Sequence, residues 1–190
     1  MTKTSRLLVV FISFTLLTGF GPFRDKRTKE QEQQDIQDMR SEVLKDLYEE
    51  APEAEQKIAE SAGYAVFSNL GINLLVLSTG NGYGVAHNNS TGKDTYMKMY
   101  SAGVGIGYGV KDFRAVFIFD TLNAMNYFIE QGWQATAQTD AAAVSGEKGD
   151  AMNYEIEIAP NVKLYQMTEN GLALQATLQG TKYVLDKDLN

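Results

Sequence analysis

Four glycines alternate with larger residues in the stretch SAGVGIGYGV, at Gly103, Gly105, Gly107 and Gly109. A glycine-rich loop can cradle phosphate when it joins a strand to a helix whose first amides face the anion. Here the run Val116 to Phe119 follows, and its β-branched and aromatic residues predict a strand. The two-residue spacing therefore predicts a strand with one bare face. Strand glycines need a close neighbour, either an internal helix or a lipid chain or partner, and we favour the helix.

Few other residues could support catalysis. The chain has no cysteine, which excludes disulfides and thiolate chemistry, and its one histidine is His87, near a strand end. No serine lies in a nucleophile elbow. Acidic residues in the stretch 140–150 lack the spacing of a calcium loop and are interpreted as solvated charge. The sequence therefore predicts no catalytic residue, no metal site and no cofactor.

The elements that would position a site change character after residue 63. Short β-branched and aromatic runs, among them YAVF, GYGVAH, TYMKMY, RAVFIF, NYEIEIA and VKLYQM, predict strands, and TENG predicts a hairpin turn. One helix, at about 121–131, interrupts them. The sequence predicts an α+β fold with N-terminal helices, then an antiparallel sheet or partly closed barrel with this one inserted helix.

The inserted helix carries its own signals. Asp120 can cap its start and Gly132 its end. We expect an inward face of Leu122, Met125, Phe128 and Ile129. Trp133 follows the cap and is expected to cover the edge of the core, with stacking on a ligand as the alternative.

Charge is distributed unevenly along the chain. The net charge is −7, but residues 1–30 carry six Lys/Arg against two Asp/Glu, whereas residues 31–190 carry eleven against twenty-two. An acidic body is a poor partner for nucleic acid. Docking on an anionic membrane would then fall to the basic segment, namely Arg24, Lys26, Arg27 and Lys29.

The first residues have the pattern of a targeting segment. Lys3 and Arg6 precede an apolar run of signal-peptide length, so residues 1–21 are predicted to be a signal peptide, with a signal anchor or a buried helix as alternatives. The run ends in LLTGF, a lipoprotein processing box with Phe20 in place of cysteine, so no lipid anchor is expected there. We expect an exported, periplasmic or envelope-associated protein.

Residues 22–51 combine the basic segment with an acidic amphipathic helix. Its apolar stripe comprises Ile36, Met39, Val43, Leu44 and Leu47. The polar face is acidic, so packing on a sheet is favoured over lying on a membrane.

Residues 52–190 resemble the SYLF-domain family through AGYAVFSNLG, GNGYGVA, YMKMYSAGVGIGYGVKDFRAVFIFD, AMNYF, GWQATAQTDAAA and YQMTENGLALQATLQGTKY. The family includes lipid-binding actin regulators and small exported bacterial lipoproteins. The resemblance implies a lipid- or membrane-associated binding module without catalysis. The lipidation cysteine and a basic cluster for phosphoinositides are missing from this chain, so lipid anchoring and headgroup specificity do not transfer.

Three hypotheses follow from these observations. The first is a non-enzymatic binding module of the bacterial cell envelope, partnered by lipid or a membrane surface and not by nucleic acid. The second is a structural envelope protein that forms homo-oligomers, or binds an envelope partner, through exposed sheet edges. A small outer-membrane barrel ranks last, because several strands are shorter than a membrane strand needs to be.

Overall fold

The structure is a computed structural model that describes residues 27–69, 82–101, 113–134, 155–168, 171–172 and 181–190. Its helices are α1 (Lys29–Glu50), α2 (Glu53–Glu60) and α3 (Leu122–Gln131). Its strands are β1 (Gly63–Ser68), β2 (Gly82–Asn88), β3 (Asp94–Ser101), β4 (Phe113–Phe119), β5 (Trp133–Gln134), β6 (Glu155–Ala159), β7 (Val162–Thr168), β8 (Gly171–Leu172) and β9 (Thr181–Leu185). The glycine strand predicted at 103–109 lies outside these residues, as do residues 1–26.

The described strands form one antiparallel sheet in the order β5-β9-β3-β2-β1-β4-β7-β6, and β8 pairs with β7. In a flat sheet the four strand spacings from β9 to β4 would total about 19 Å. The rings of Tyr183 (β9) and Phe117 (β4) nevertheless lie 4.9 Å apart between centroids, so the sheet is curled. The predicted α+β fold, with a partly closed sheet and one inserted helix, is confirmed.

Alternating residues divide the sheet into two apolar faces. On β4, Phe117 and Phe119 point to the concave inner face, whereas Val116 and Ile118 point to the outer face. The inner face holds an aromatic cluster, made of Phe67, Phe117, Phe119, Phe128, Trp133 and Tyr183. Because both faces are apolar, each needs a cover, and different helices supply it.

Helix α1 covers the outer face. Its start is fixed by a capping box between Thr28 and Gln31, and its stripe of Ile36, Met39, Val43 and Leu47 is buried against Val66, Val85, Val116 and Met167 of the sheet. The predicted packing on a sheet is therefore confirmed. No helix among the described residues has both the length and the apolarity needed to cross a bilayer.

The far end of the described chain holds the start of α1 in place. Lys29 Nζ donates to the main-chain oxygen of Asn190 at 2.8 Å, and Gln33 Nε2 donates to that of Leu189 at 2.7 Å. The Asn190 side chain in turn bonds to the main-chain N–H and oxygen of Tyr96 on β3. The two ends of the described chain therefore form one structural unit.

Helix α3 covers the inner face with Met125 and Phe128, which are both buried. Two details of the prediction are wrong. Thr121 caps the helix by accepting from Ala124 N–H, while Asp120 is paired with Lys163. Leu122 is 41% exposed rather than inward, because the first residue of the helix projects past the edge of the inner cluster.

Candidate functional site

An apolar groove runs beside α3, where the helix meets the loop between β6 and β7. Its volume is about 530 Å³. The apolar part of the lining comes from Ala124, Phe128, Trp133, Ala159, Pro160 and Val162, and the polar rim is formed by Thr121, Asn123 and Asn161. We call this the α3 groove. None of its lining residues carries a charge, so it suits an uncharged, apolar occupant.

Gly132 positions Trp133 at one wall of the α3 groove. Its φ of 69° is readily adopted only by glycine, and it turns the chain from α3 directly into β5. The Trp133 ring then packs against Phe117 and Tyr183, with centroids 5.5 and 5.7 Å away. The prediction that Trp133 covers the core edge is confirmed, and stacking on a ligand stays a prediction.

The outer surface of α3 exposes large apolar side chains beside the groove. Tyr127, which lines the groove, is 66% exposed, whereas Leu122, five residues earlier on the same helix, is 41% exposed and is not part of the lining. Among the described residues only one other large apolar side chain is exposed, Tyr100 on β3. An exposed aromatic side chain that lines an apolar groove is typical of an interaction surface.

A second cleft, of about 570 Å³, differs in chemistry. It lies between the start of α1, the end of α3 and the β2–β3 hairpin, and Lys93, Asp94 and Glu130 are among its lining residues. Its charged and amide groups suit a polar occupant better than a lipid chain. The α3 groove is therefore the better candidate for binding an apolar molecule.

His87 lies near the end of a strand, as the sequence predicted. It lies in β2, half-buried, with Nδ1 at 2.6 Å from Asp94 Oδ1. Asp94 also accepts from Arg40 at 3.0 Å and from Gln37 at 2.9 Å, both on α1. The network joins α1 to the β2–β3 hairpin. His87 and Asp94 are cross-strand partners in the β2–β3 hairpin, whereas the contacts of Asp94 with Arg40 and Gln37 could not be predicted from the sequence, because they depend on how α1 crosses the sheet.

A similar network joins α2 to the sheet. Lys57 Nζ lies 2.9 Å from Glu155 Oε2 and 3.2 Å from Tyr165 Oη, and that hydroxyl donates to Glu155 at 3.1 Å. Burial and the neighbouring Glu155 carboxylate raise the pKa of Tyr165 well above its ordinary value. The phenol therefore stays protonated and acts as a hydrogen-bond donor. Glu157, on the same strand as Glu155, points outward, and Ile156 points inward.

The predicted basic docking segment is described only in part. Arg27 pairs with Asp35, and Lys29 contacts Asn190, so each cation already has an oxygen partner. Arg24 and Lys26 lie outside the described residues, as do Gly103, Gly105, Gly107 and Gly109. In the ranges that the structure covers, no group of three His, Asp or Glu side chains is placed to hold a metal ion.

Sequence reasoning also missed Gln166 of β7. Its side chain is 1% exposed, and neither amide atom has a hydrogen-bond partner. The alternation Val162, Leu164, Gln166 places this amide on the inner face. That alternation is a signal in the sequence, since it sets a polar residue where a third apolar one is expected.

Comparison with known proteins finds a relative that aligns with most of the chain. No family model matches the chain. The chain is 37% identical over 154 residues to the protein named Beta cell expansion factor A of Aeromonas veronii. That alignment takes in 81% of this chain but 57% of the relative, so the chain spans little more than half of the relative's length.

Proposed function

We propose that this protein is a non-enzymatic, lipid-binding module of the bacterial cell envelope that docks on membranes through the α3 groove. The observation that carries the proposal is the uncharged apolar lining of that groove beside an exposed Tyr127. Lipid chains bind where apolar surface can be buried without desolvating charge.

The chemistry of the groove favours lipid over a polar ligand. Phe128 and Trp133 offer aromatic surface, and Asn123 and Asn161 at the rim can bond to uncharged headgroup oxygens. Tyr127 has an apolar ring and a polar hydroxyl, a combination that suits the membrane–water interface. Together these residues form a surface whose apolar side can enter the bilayer boundary while its polar rim stays hydrated.

Features of the sequence support the same function. The resemblance of residues 52–190 to SYLF domains implies lipid association, and membership of that family is part of the proposal. The targeting pattern of residues 1–21 supports an envelope location. Since Arg27 and Lys29 already have partners, we assign docking to the groove first and to the basic segment second.

Vesicle flotation tests the proposal. We expect Tyr127→Ser to reduce retention on phosphatidylcholine vesicles with an unchanged melting temperature, because a 66% exposed ring contributes little to the core. Tyr100→Ser is the matched control, since Tyr100 is exposed at 43% but lies on β3, outside the groove lining. Retention that falls equally in both variants, or in neither, would contradict docking through the α3 groove.

The salt dependence of vesicle binding distinguishes docking through the α3 groove from docking through the basic segment. Groove binding is apolar and should persist at high salt, whereas binding through residues 24–29 to vesicles containing phosphatidylglycerol should weaken as salt rises. Flotation of the wild-type protein on both kinds of vesicle, at low and high salt, distinguishes them. Binding that needs anionic lipid and vanishes at high salt would assign docking to the basic segment instead.

A further inference from the structure

Several polar atoms on the inner face of the sheet have no hydrogen-bond partner. They are both amide atoms of Gln166, Oγ1 of Thr181 and the hydroxyl of Tyr183. All three side chains are at most 1% exposed. Folded proteins rarely leave such groups unpaired, because desolvating a donor or acceptor without a new bond is unfavourable. Three such side chains on one face therefore call for a ligand or water.

Gln166 and Thr181 lie near the same end of the sheet. Gln166 is opposite Ala115 of β4 and two residues from the end of β7, and Thr181 is the first residue of β9, opposite Ser101. Because β1 pairs with β2 and β4, and β2 pairs with β3, one side of the sheet holds the end of β1, the start of β2, the end of β3 and the start of β4. Gln166 and Thr181 lie at this side. The unpaired amide and hydroxyl thus face the inside of the curl at one end.

The surroundings of these atoms define the ligand chemistry. None of the inward-facing strand positions in the described sheet carries a charge, and aromatic side chains such as Phe67 and Phe113 share the face. An ionised headgroup buried there would have no counter-charge. Gln166 offers donors and an acceptor, and Thr181 offers one hydroxyl, which together match an uncharged group that carries hydroxyl and carbonyl oxygens.

We infer that Gln166 and Thr181 bind the uncharged head of an amphiphile, a monoacylglycerol or a lipid of that class, inside the curl of the sheet. The inference rests on the proposed lipid-binding function and specifies which lipids the protein selects. The acyl chain of the ligand lies against the aromatic side chains of the inner face. Tyr183, whose ring packs among the aromatic rings, is not needed for this contact.

Competition between two lipids with the same chain tests this assignment. Monoolein carries the uncharged head and oleate carries a carboxylate, and native mass spectrometry of the purified protein reports how much of each is retained. We expect the wild type to prefer monoolein by about tenfold, and Gln166→Leu to lose most of that preference, since each net hydrogen bond is worth up to about one order of magnitude in affinity. Met167→Leu is the control, because its side chain points to the outer face.

Stability measurements complete the test. Removing an unpaired amide should leave the melting temperature of Gln166→Leu equal or higher. A more stable Gln166→Leu variant that still prefers monoolein would overturn the inference and assign the amide to water. If Gln166→Leu fails to fold, Thr181→Val takes its place, with the same expectation. Equal retention of both lipids by a wild type that still floats with vesicles overturns this inference alone, whereas failure to float overturns the proposed function.

Discussion

Glycine has two different roles at the residue scale. A side chain at Gly84 would collide with the main-chain oxygen of Val66 and the ring of Phe67, so the glycine makes room for its neighbours. Gly92 has open space around it but a φ of 68°, so the backbone itself requires glycine. At Gly84 the close neighbour is the adjacent strand β1, whereas the helix was expected over the 103–109 strand, which lies outside the described residues.

Substitutions separate these two roles. Gly84→Ala should lower the free energy of unfolding by roughly 1–3 kcal/mol through overpacking. At Gly92, asparagine should be tolerated better than alanine, because asparagine adopts left-handed backbone more readily. Urea unfolding of Gly84→Ala, Gly84→Asn, Gly92→Ala and Gly92→Asn tests both statements. If asparagine is tolerated at Gly84 as well as at Gly92, the steric reading of Gly84 is wrong.

Two buried tyrosines make the folded state less stable at alkaline pH. Burial raises the pKa of Tyr183 far above its ordinary value of 10.0, and burial with Glu155 does the same for Tyr165. Above pH 10 the unfolded chain therefore loses phenol protons that the folded chain keeps, so stability is full below pH 10 and falls as pH rises beyond it. Each tyrosine contributes a slope of up to about 1.4 kcal/mol per pH unit.

Tyr183→Phe tests this linkage. The variant should lose less stability than the wild type between pH 10 and 11, as measured by urea unfolding at a series of pH values. At neutral pH its stability should be equal or greater, because the deleted hydroxyl has no partner. An alkaline slope unchanged from the wild type would show that Tyr183 ionises without unfolding.

At the scale of elements, hydrophobic periodicity predicted the secondary structure of a segment but not which other elements it contacts. The helical spacing of Ile36, Met39, Val43 and Leu47 identified the buried stripe of α1, and alternation identified most described strands. The order of the strands could not be predicted from the sequence, because β9 lies between β3 and β5 through contacts that no local pattern encodes. The same reason explains why the contacts of Asp94 with α1 and the α3 groove emerged only from the structure.

The stripe of α1 also yields a graded prediction. Leu47 is fully buried, whereas Leu44 is only partly buried against the same cluster. Leu47→Ala should lower the free energy of unfolding by about 2–5 kcal/mol, and Leu44→Ala by clearly less, because the cost grows with the cavity left behind. Urea denaturation of the two variants gives the comparison. Equal losses would mean that α1 packs on the sheet with a different rotation.

For the whole molecule, the sheet edges bear on the alternative of self-assembly. The edge strand β6 is short, has a register irregularity between Glu157 and Ala159, and exposes Glu157. The opposite edge, β5, has two residues. Short, irregular and charged edges resist strand addition, so these features disfavour assembly through the described edges.

Removing the charge at that edge should promote association. We expect Glu157→Val to increase the mass measured by light scattering as protein concentration rises, because an uncharged β-branched edge invites pairing. Glu130→Val, at an exposed position of α3, is the control for added surface hydrophobicity. If both variants stay at the wild-type mass, the charge of Glu157 is not what protects this edge.

The hydrogen bonds between residues 189–190 and the start of α1 affect when the chain can fold during its synthesis. Lys29 and Asn190 are 161 positions apart, and Gln33 and Leu189 are 156 apart. During translation α1 leaves the ribosome long before these partners exist, and β9 must still enter the sheet beside β3. Contacts between such distant positions slow folding, because a long loop has to close first. The chain should therefore complete its fold only after residue 190 has been made.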